Sequence, residues 1–218
     1  MNDIYGCVFK LLQFKDIYSC MLTNKHFYGL INQELFWHHK YALNYHDCDR
    51  IGNYYESCKI YHNISKLFQK LTSTRYYENI NYFYKLQNLN IGDEKLIGVP
   101  NEIYVLTNLT NLQLSYNDIG YIPTELCLMT NLRSLYLSNA NIKSIPNDIT
   151  NMYNLNTLVL CNTYSYKLDI TTTPNSISTI PAEMFKMTNL RCLNLYHNPI
   201  KGSYFSTTNT LLQILTSQ

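Results

Sequence analysis

The second half of the chain repeats itself every 23 residues, and this constrains the fold more than any other feature. The segment LTNLQLSYNDIGYIPTELCLMTN (109–131) aligns position by position with LRSLYLSNANIKSIPNDITNMYN (132–154), and LQNLNIGDEKLIGVPNEIYVLTN (86–108) precedes both in register. A fourth copy opens at Leu155, resumes at Asn175 and ends at Asn189; it spans 35 residues because TYSYKLDITTTP (163–174) is inserted. A fifth copy opens at Leu190 as LRCLNLYHNPIKG and then fades. The fourth and sixth positions of L-x-x-L-x-L alternate as a strand requires, so Leu112/Leu114 and Leu135/Leu137 point to one face. Pro100, Pro123, Pro146 and Pro181 then remove a backbone donor and fix φ, which ends the ladder. Beyond each proline, apolar residues stand three apart, at Ile103/Leu106, Leu126/Met129, Ile149/Met152 and Met184/Met187, which suits one or two helical or 3₁₀ turns. The Asn before each next Leu (Asn108, Asn131, Asn154, Asn189) predicts a turn in which the side chain bonds nearby backbone and αL is tolerated. No copy can bury its own leucines; only stacking makes the core continuous.

The full pattern, L-x-x-L-x-L-x-x-N-x-I-x-x-I-P-x-x-I-x-x-L-x-N, resembles the 23-residue type of the leucine-rich repeat family. The resemblance implies an α/β solenoid, a horseshoe of about 4–5 repeats over 86–202, carrying its strands on the concave side. It also implies that an Asn after each strand satisfies buried backbone in the turn. Asn117 and Asn198 stand there, and Asn175 recovers the position after the insertion; Glu94 and Ala140 replace it in the first and third copies. At Ala140, the neighbouring Asn139 or Asn141, or a water, is expected to substitute. By register the concave face carries Asn88, Asn111, Ser134, Thr157 and Cys192, then Asn90, Gln113, Tyr136, Val159 and Asn194. Tyr and Arg are common interface anchors. The expected target-binding residues are therefore Tyr116, Arg133, Tyr136, Val159, Arg191 and Tyr196. The insertion reads as a tolerated excursion at a solenoid edge, with a specificity loop as the alternative.

Residues 1–85 lack the repeat. Ile4, Val8, Leu11 and Leu12 share one helical face, and Ile17, Cys20 and Met21, then Phe27, Leu30 and Ile31, continue the pattern to Leu35-Phe36-Trp37. These elements, with Lys15-Asp16-Ile17 and the run 20–28, are similar to the F-box in order and spacing over 1–42, although its leading Leu-Pro is missing. The resemblance implies an all-α segment that docks on a Skp1-like adaptor of cullin-RING ubiquitin ligases through Ile4, Val8, Phe9, Leu12, Ile17 and Leu22. The alternative is a helical cap that seals the first repeat. Within the linker and N-terminal cap expected at 43–85, Ile60, Ile64, Leu67, Phe68 and Leu71 predict an amphipathic helix. At the far end Leu211, Leu212, Ile214 and Leu215 are expected to close the last repeat, as a C-terminal cap over 203–218.

Composition narrows the function classes. Charged residues make up 15% of the chain, against roughly 25% in a typical soluble domain. A net charge of +2 gives no basic footprint for nucleic acid, and no apolar run approaches the roughly 18 residues of a membrane span. Neither a secretory leader nor a CxxC pair is read, so the seven cysteines are expected to be reduced thiols of a cytoplasmic protein. His38, His39, His46, Cys48, Cys58 and His62 lack the tight pairs of a zinc site, so no metal is expected. With no phosphate loop, no nucleophile elbow and no dinucleotide fingerprint, the chain reads as neither an enzyme nor a cofactor protein. The excess of Asn and Tyr resembles the composition of giant DNA viruses, for which the compartment would be the host cytoplasm. Two functions follow: a substrate receptor of a ubiquitin ligase holding an unknown target protein, or a repeat scaffold with no ubiquitin role.

Overall fold

The computed structural model describes residues 54–71, 84–163, 173–201 and 213–215. The F-box-like reading of 1–42, its six adaptor-binding residues included, and most of the insertion lie outside the described residues.

Six three-residue strands form one parallel sheet in sequence order: β1 (Asn88–Asn90), β2 (Asn111–Gln113), β3 (Ser134–Tyr136), β4 (Thr157–Val159), β5 (Cys192–Asn194) and β6 (Gln213–Leu215). The register follows the repeat. Leu89, Leu112, Leu135, Leu158 and Leu193 pair in succession, and the fourth step absorbs the insertion without a slip. Ile214 continues the row beside Leu193, so a sixth strand follows where the repeat has faded in sequence. The central Leu of each of the first five strands is buried. A one-residue slip would turn this row outward, which is why register is strongly specified.

Each copy returns on the opposite side through a short turn: 3₁₀ helices at Asn101–Val105, Asn147–Asn151 and Ala182–Lys186, and one α turn, Thr124–Cys127. A proline precedes each, at φ −63°, −73°, −73° and −57°, the value its ring dictates. Ile103, Leu126, Ile149 and Met184 point inward from these turns onto the leucine row.

Helix α1 (Tyr54–Lys70) packs on the first of these turns. Its buried stripe is Cys58, Tyr61, Ile64, Leu67 and Leu71, three and four apart, and these residues join the leucine core. The helical spacing in sequence includes Ile64, Leu67 and Leu71, which are buried, and Ile60, which is only half-buried; Cys58 and Tyr61 complete the inner stripe. Lys70 Nζ meets Glu102 Oε2 at 2.7 Å across this contact.

Two asparagine ladders hold neighbouring copies together. The inner one is buried. Asn117 Oδ1 accepts the N–H of Glu94 and of Leu96 at 3.0 Å, and its Nδ2 donates to Ile91 and Leu114 carbonyls at 2.9 Å. Asn175 repeats this one insertion later, accepting from Ala140 and Ile142 and donating to Leu137 and Leu160. Asn198 accepts from Ile177 and donates to Leu160 and Leu195. At Ala140 neither neighbouring Asn side chain substitutes. The Ala140 carbonyl itself accepts the N–H groups of Ile119 and Gly120, while Asn139 and Asn141 are engaged elsewhere.

The outer ladder uses the pre-strand asparagines, which lie in turns as their sequence positions predict. Asn131, Asn154 and Asn189 donate through Nδ2 to the carbonyls of Thr107, Thr130 and Tyr153, each in the preceding copy, and Asn108 donates to that of Tyr84, just before the first copy. None of them has a positive φ. Each turn is closed by the next leucine's N–H on the carbonyl three residues back, but the asparagine side chains stitch one copy to the chain before it. Because they are exposed and water can replace the bond, Asn131→Ala is expected to cost about 0.5–1.5 kcal/mol in urea unfolding.

Candidate functional site

The sheet's outer face carries two side chains per strand, flanking the buried leucine. At the last strand position, Asn90, Gln113 and Asn194 fold back and accept the N–H two residues on, from Gly92, Ser115 and Tyr196 at 3.1, 2.9 and 3.1 Å. These three side chains are consumed in ending their own strands. Tyr136 and Val159 occupy the same register and offer no such acceptor for the strand end. The job passes to a neighbour: Ser115 Oγ accepts the Ser138 N–H at 2.9 Å. The middle of the sheet is thereby left with an aromatic and an aliphatic side chain, half-buried and side by side, unused by the scaffold. At the first strand position, Asn111 donates to Asn88, and Ser134, Thr157 and Cys192 continue the row.

Arg133 and Arg191 lie exposed just before β3 and β5, with Asn156 between them. Backbone bonds fix their place: Asn156 and Thr157 donate to the Arg133 carbonyl, and Arg191 and Cys192 donate to that of Asn156. No carboxylate occurs among the outward strand positions of β1–β5. Tyr196 is 41% exposed beyond β5, its ring centroid 6.1 Å from that of His197.

Tyr116 differs from the expectation of a free anchor. Its hydroxyl shares a 2.7 Å hydrogen bond with Thr163 Oγ1, two copies away. Asn139 holds the same residue, accepting from the Thr163 N–H at 2.7 Å and donating to its carbonyl at 3.1 Å. Asn162 holds the other end, accepting from the Asn175 N–H at 2.7 Å and donating to its carbonyl at 2.8 Å. The insertion therefore leaves and rejoins the sheet edge through two bidentate asparagine contacts. Sequence reasoning missed Asn139, Asn162 and Thr163 as a group; their positions at the insertion's borders were the available signal.

The edge is also strained. Asp93, Tyr116, Asn139 and His197 take the left-handed region at φ 59°, 61°, 50° and 60°. Asp and Asn visit it readily, whereas Tyr and His pay of order 1 kcal/mol. All four stand at the eighth position of their copies, so the conformation belongs to the turn that follows each strand.

Two groups on the opposite side are displaced in pKa. Burial, then Asp148 and Glu125, push the Cys127 thiol up to about 12. Burial, then Glu125, push the Tyr104 phenol up to about 12. Both folded values exceed the ordinary ones, so the fold favours the neutral forms. That contribution is complete below about pH 9 and is lost as pH rises toward about 12. Thermal melts between pH 8 and 11 are expected to fall more steeply for the wild type than for Cys127→Ala/Tyr104→Phe.

Among the described residues no helix is long and apolar enough to cross a membrane, and no three His, Cys, Asp or Glu converge as a metal-binding group.

Comparison with known proteins follows from this geometry. A leucine-rich repeat region family model matches residues 63–217, and an F-box-like model matches residues 2–42. No curated protein sequence matches the chain. Among solved structures, the BIR2 ectodomain from Arabidopsis thaliana is similar at 24% identity, covering 66% of this chain and 82% of its own, with a TM-score of 0.49. The BIR3–SERK2 complex from Arabidopsis thaliana is similar at 26% identity over 61% of this chain, TM-score 0.44. The ectodomain of the plant membrane receptor kinase GASSHO1/SCHENGEN3 from Arabidopsis thaliana is similar at 24% identity over 61%, TM-score 0.46. The chain spans 64% and 15% of the lengths of these last two. The parallel ladder, the repeat register and the family match agree: the chain belongs to the leucine-rich repeat family, and its N-terminal 2–42 is F-box-like.

Proposed function

We propose that the chain is a protein-binding adaptor, the substrate receptor of a ubiquitin ligase of the Skp1–cullin–F-box type. The observation that carries this reading is the union in one chain of an F-box-like segment at 2–42 with a leucine-rich repeat region at 63–217. In it, Ile4, Val8, Phe9, Leu12, Ile17 and Leu22 contact a Skp1-like adaptor. The target protein lies on the strand face, centred on Tyr136 and Val159, with Arg133, Arg191 and Tyr196 at its borders. The free state of Tyr136 and Val159, beside asparagines already committed to the scaffold, supports that centre. Tyr116 acts there through its ring, since its hydroxyl is held by Thr163.

The mechanism needs no catalytic side chain. Holding a target on one end of a chain whose other end is bound to the ligase turns ubiquitin transfer into an effectively intramolecular event. Short tethers give effective concentrations in the millimolar range. Because the strand face is poor in charge, the target is chosen by shape and hydrogen bonding more than by electrostatic steering.

The test is a reconstituted ligase. With Skp1, the cullin-RING core, the activating and conjugating enzymes, ubiquitin and ATP, the intact chain is expected to become modified itself or to direct modification of a bound target. Ile4→Asp/Leu12→Asp is expected to abolish this. Tyr136→Ala/Val159→Asp is expected to spare self-modification while losing the target. Absence of modification in a complex shown to contain every component would refute the reading.

A further inference from the structure

The side opposite the strands has its own chemistry. Between the turns at Asn101–Val105 and Thr124–Cys127 lies a groove of about 330 Å³, whose lining includes Tyr104, Leu109, Glu125, Leu128 and Met129. Leu128, at its rim, is 61% exposed, where the equivalent position of the next copy is Asn151. The cause is local. This turn alone among the four is α-helical, and Leu128 ends it with its N–H bonded to both Thr124 and Glu125 carbonyls.

The groove is also flanked by carboxylates. The first turn of each of the four returns carries one acid at the same repeat position, Glu102, Glu125, Asp148 and Glu183; the first three stretches, 101–108, 124–131 and 147–154, contain no Lys or Arg, whereas the fourth carries Lys186. Lys70 meets Glu102. Asp148 accepts a hydrogen bond from Thr124 Oγ1 at 3.2 Å, and neither it nor Glu125 has a cationic partner among the described residues. Burial first, and the nearby Glu125 carboxylate after it, displace the Tyr104 phenol upward; burial, then Asp148 and Glu125, do the same to the Cys127 thiol.

We infer that this groove docks a basic amphipathic segment of a partner protein, with an apolar side chain against Leu109, Leu128 and Met129 and a Lys or Arg directed at Glu125 and Asp148. The aliphatic stem of such a residue can lie along Leu128, and its head can sit over the Tyr104 ring. The carboxylates exclude nucleic acid and acidic peptides from the same place. The site is small, so binding is weak and salt-sensitive. It lies on the face opposite the strands and does not depend on the ligase reading.

The test uses the full-length chain and a fluorescent synthetic helical peptide bearing leucines on one stripe and lysine and arginine on the other. A control peptide carries glutamate in place of the basic residues. Anisotropy is expected to show binding of the basic peptide that is weakened about tenfold by Glu125→Lys and comparably by Leu128→Asp. Glu183→Gln, at the equivalent position of the fourth copy and away from the groove, is expected to leave it unchanged. Equal binding of the acidic control, no binding of the basic peptide, or an affinity indifferent to both groove substitutions would overturn the proposal.

Discussion

Asn117→Ala is expected to destabilise the protein by about 3–5 kcal/mol, far more than loss of any exposed asparagine. Its amide is the partner of five main-chain groups: the N–H groups of Glu94 and Leu96, the carbonyls of Ile91 and Leu114, and, at a longer 3.4 Å, the carbonyl of Ser115. The side chain is 1% exposed, so water cannot take its place without opening the turn. Each buried group left unpaired costs about 1–3 kcal/mol, and local relaxation recovers part of the sum. Asn117→Asp keeps the acceptor but loses the donor, and is expected to cost nearly as much. Urea unfolding, with Asn131→Ala as the reference, measures the difference. Equal losses at the two positions would mean that the inner ladder is no more than a decoration of the turn.

Leu135→Ala is expected to cost about 3–5 kcal/mol and to change the shape of the unfolding transition. Leu135 is fully buried at the centre of β3, between Leu112 and Leu158 in register. Truncating a buried leucine loses its transfer free energy and leaves a cavity. In a stacked array each copy contacts only its neighbours, so weakening a central interface uncouples the two ends. The cooperative transition of the wild type is expected to split in two when followed by circular dichroism and by Trp37 fluorescence. Leu135→Met, which keeps the volume, is expected to stay within about 1.5 kcal/mol of wild type. Losses of 3–5 kcal/mol are a large part of the roughly 5–15 kcal/mol that hold a domain folded.

Much of the ladder was legible because its cause is periodic. Leucines at Leu112, Leu135 and Leu158 can share one face only if each copy adds one strand in the same register, and the prolines dictate where each strand path turns away. Asn175 could be recognised across the insertion for the same reason. What escaped depends on which partner a side chain finds in space. Asn131 lies at a turn in sequence, yet its bond runs to Thr107 in the preceding copy, a contact set by stacking distance. Ala140 breaks the consensus; its own carbonyl accepts the Ile119 and Gly120 N–H groups, the Leu114 and Leu137 carbonyls are met by Asn117 and Asn175, and the Asn139 and Asn141 side chains fasten Thr163 and Asp118 instead. Tyr116 was legible as a surface aromatic but not as a partner of Thr163, since the two stand two copies apart. Tyr136 and Val159 were legible as outward residues. That they differ from the other residues at the last position of β1–β5 follows from the turn bonds of Asn90, Gln113 and Asn194, which no repeat pattern encodes. The groove at Leu128 was missed because one α turn replaces a 3₁₀ turn there, a difference of two hydrogen bonds, from the Cys127 and Leu128 N–H groups to the carbonyls four residues back.

The most direct measurement is the binding of purified Skp1 to the intact chain by isothermal titration, repeated with Ile4→Asp/Leu12→Asp and with Tyr136→Ala/Val159→Asp. The expected result is a one-to-one complex that the first pair of substitutions abolishes and the second leaves intact. A chain that folds but does not bind Skp1, or binds it equally well after Ile4→Asp/Leu12→Asp, would contradict the adaptor function.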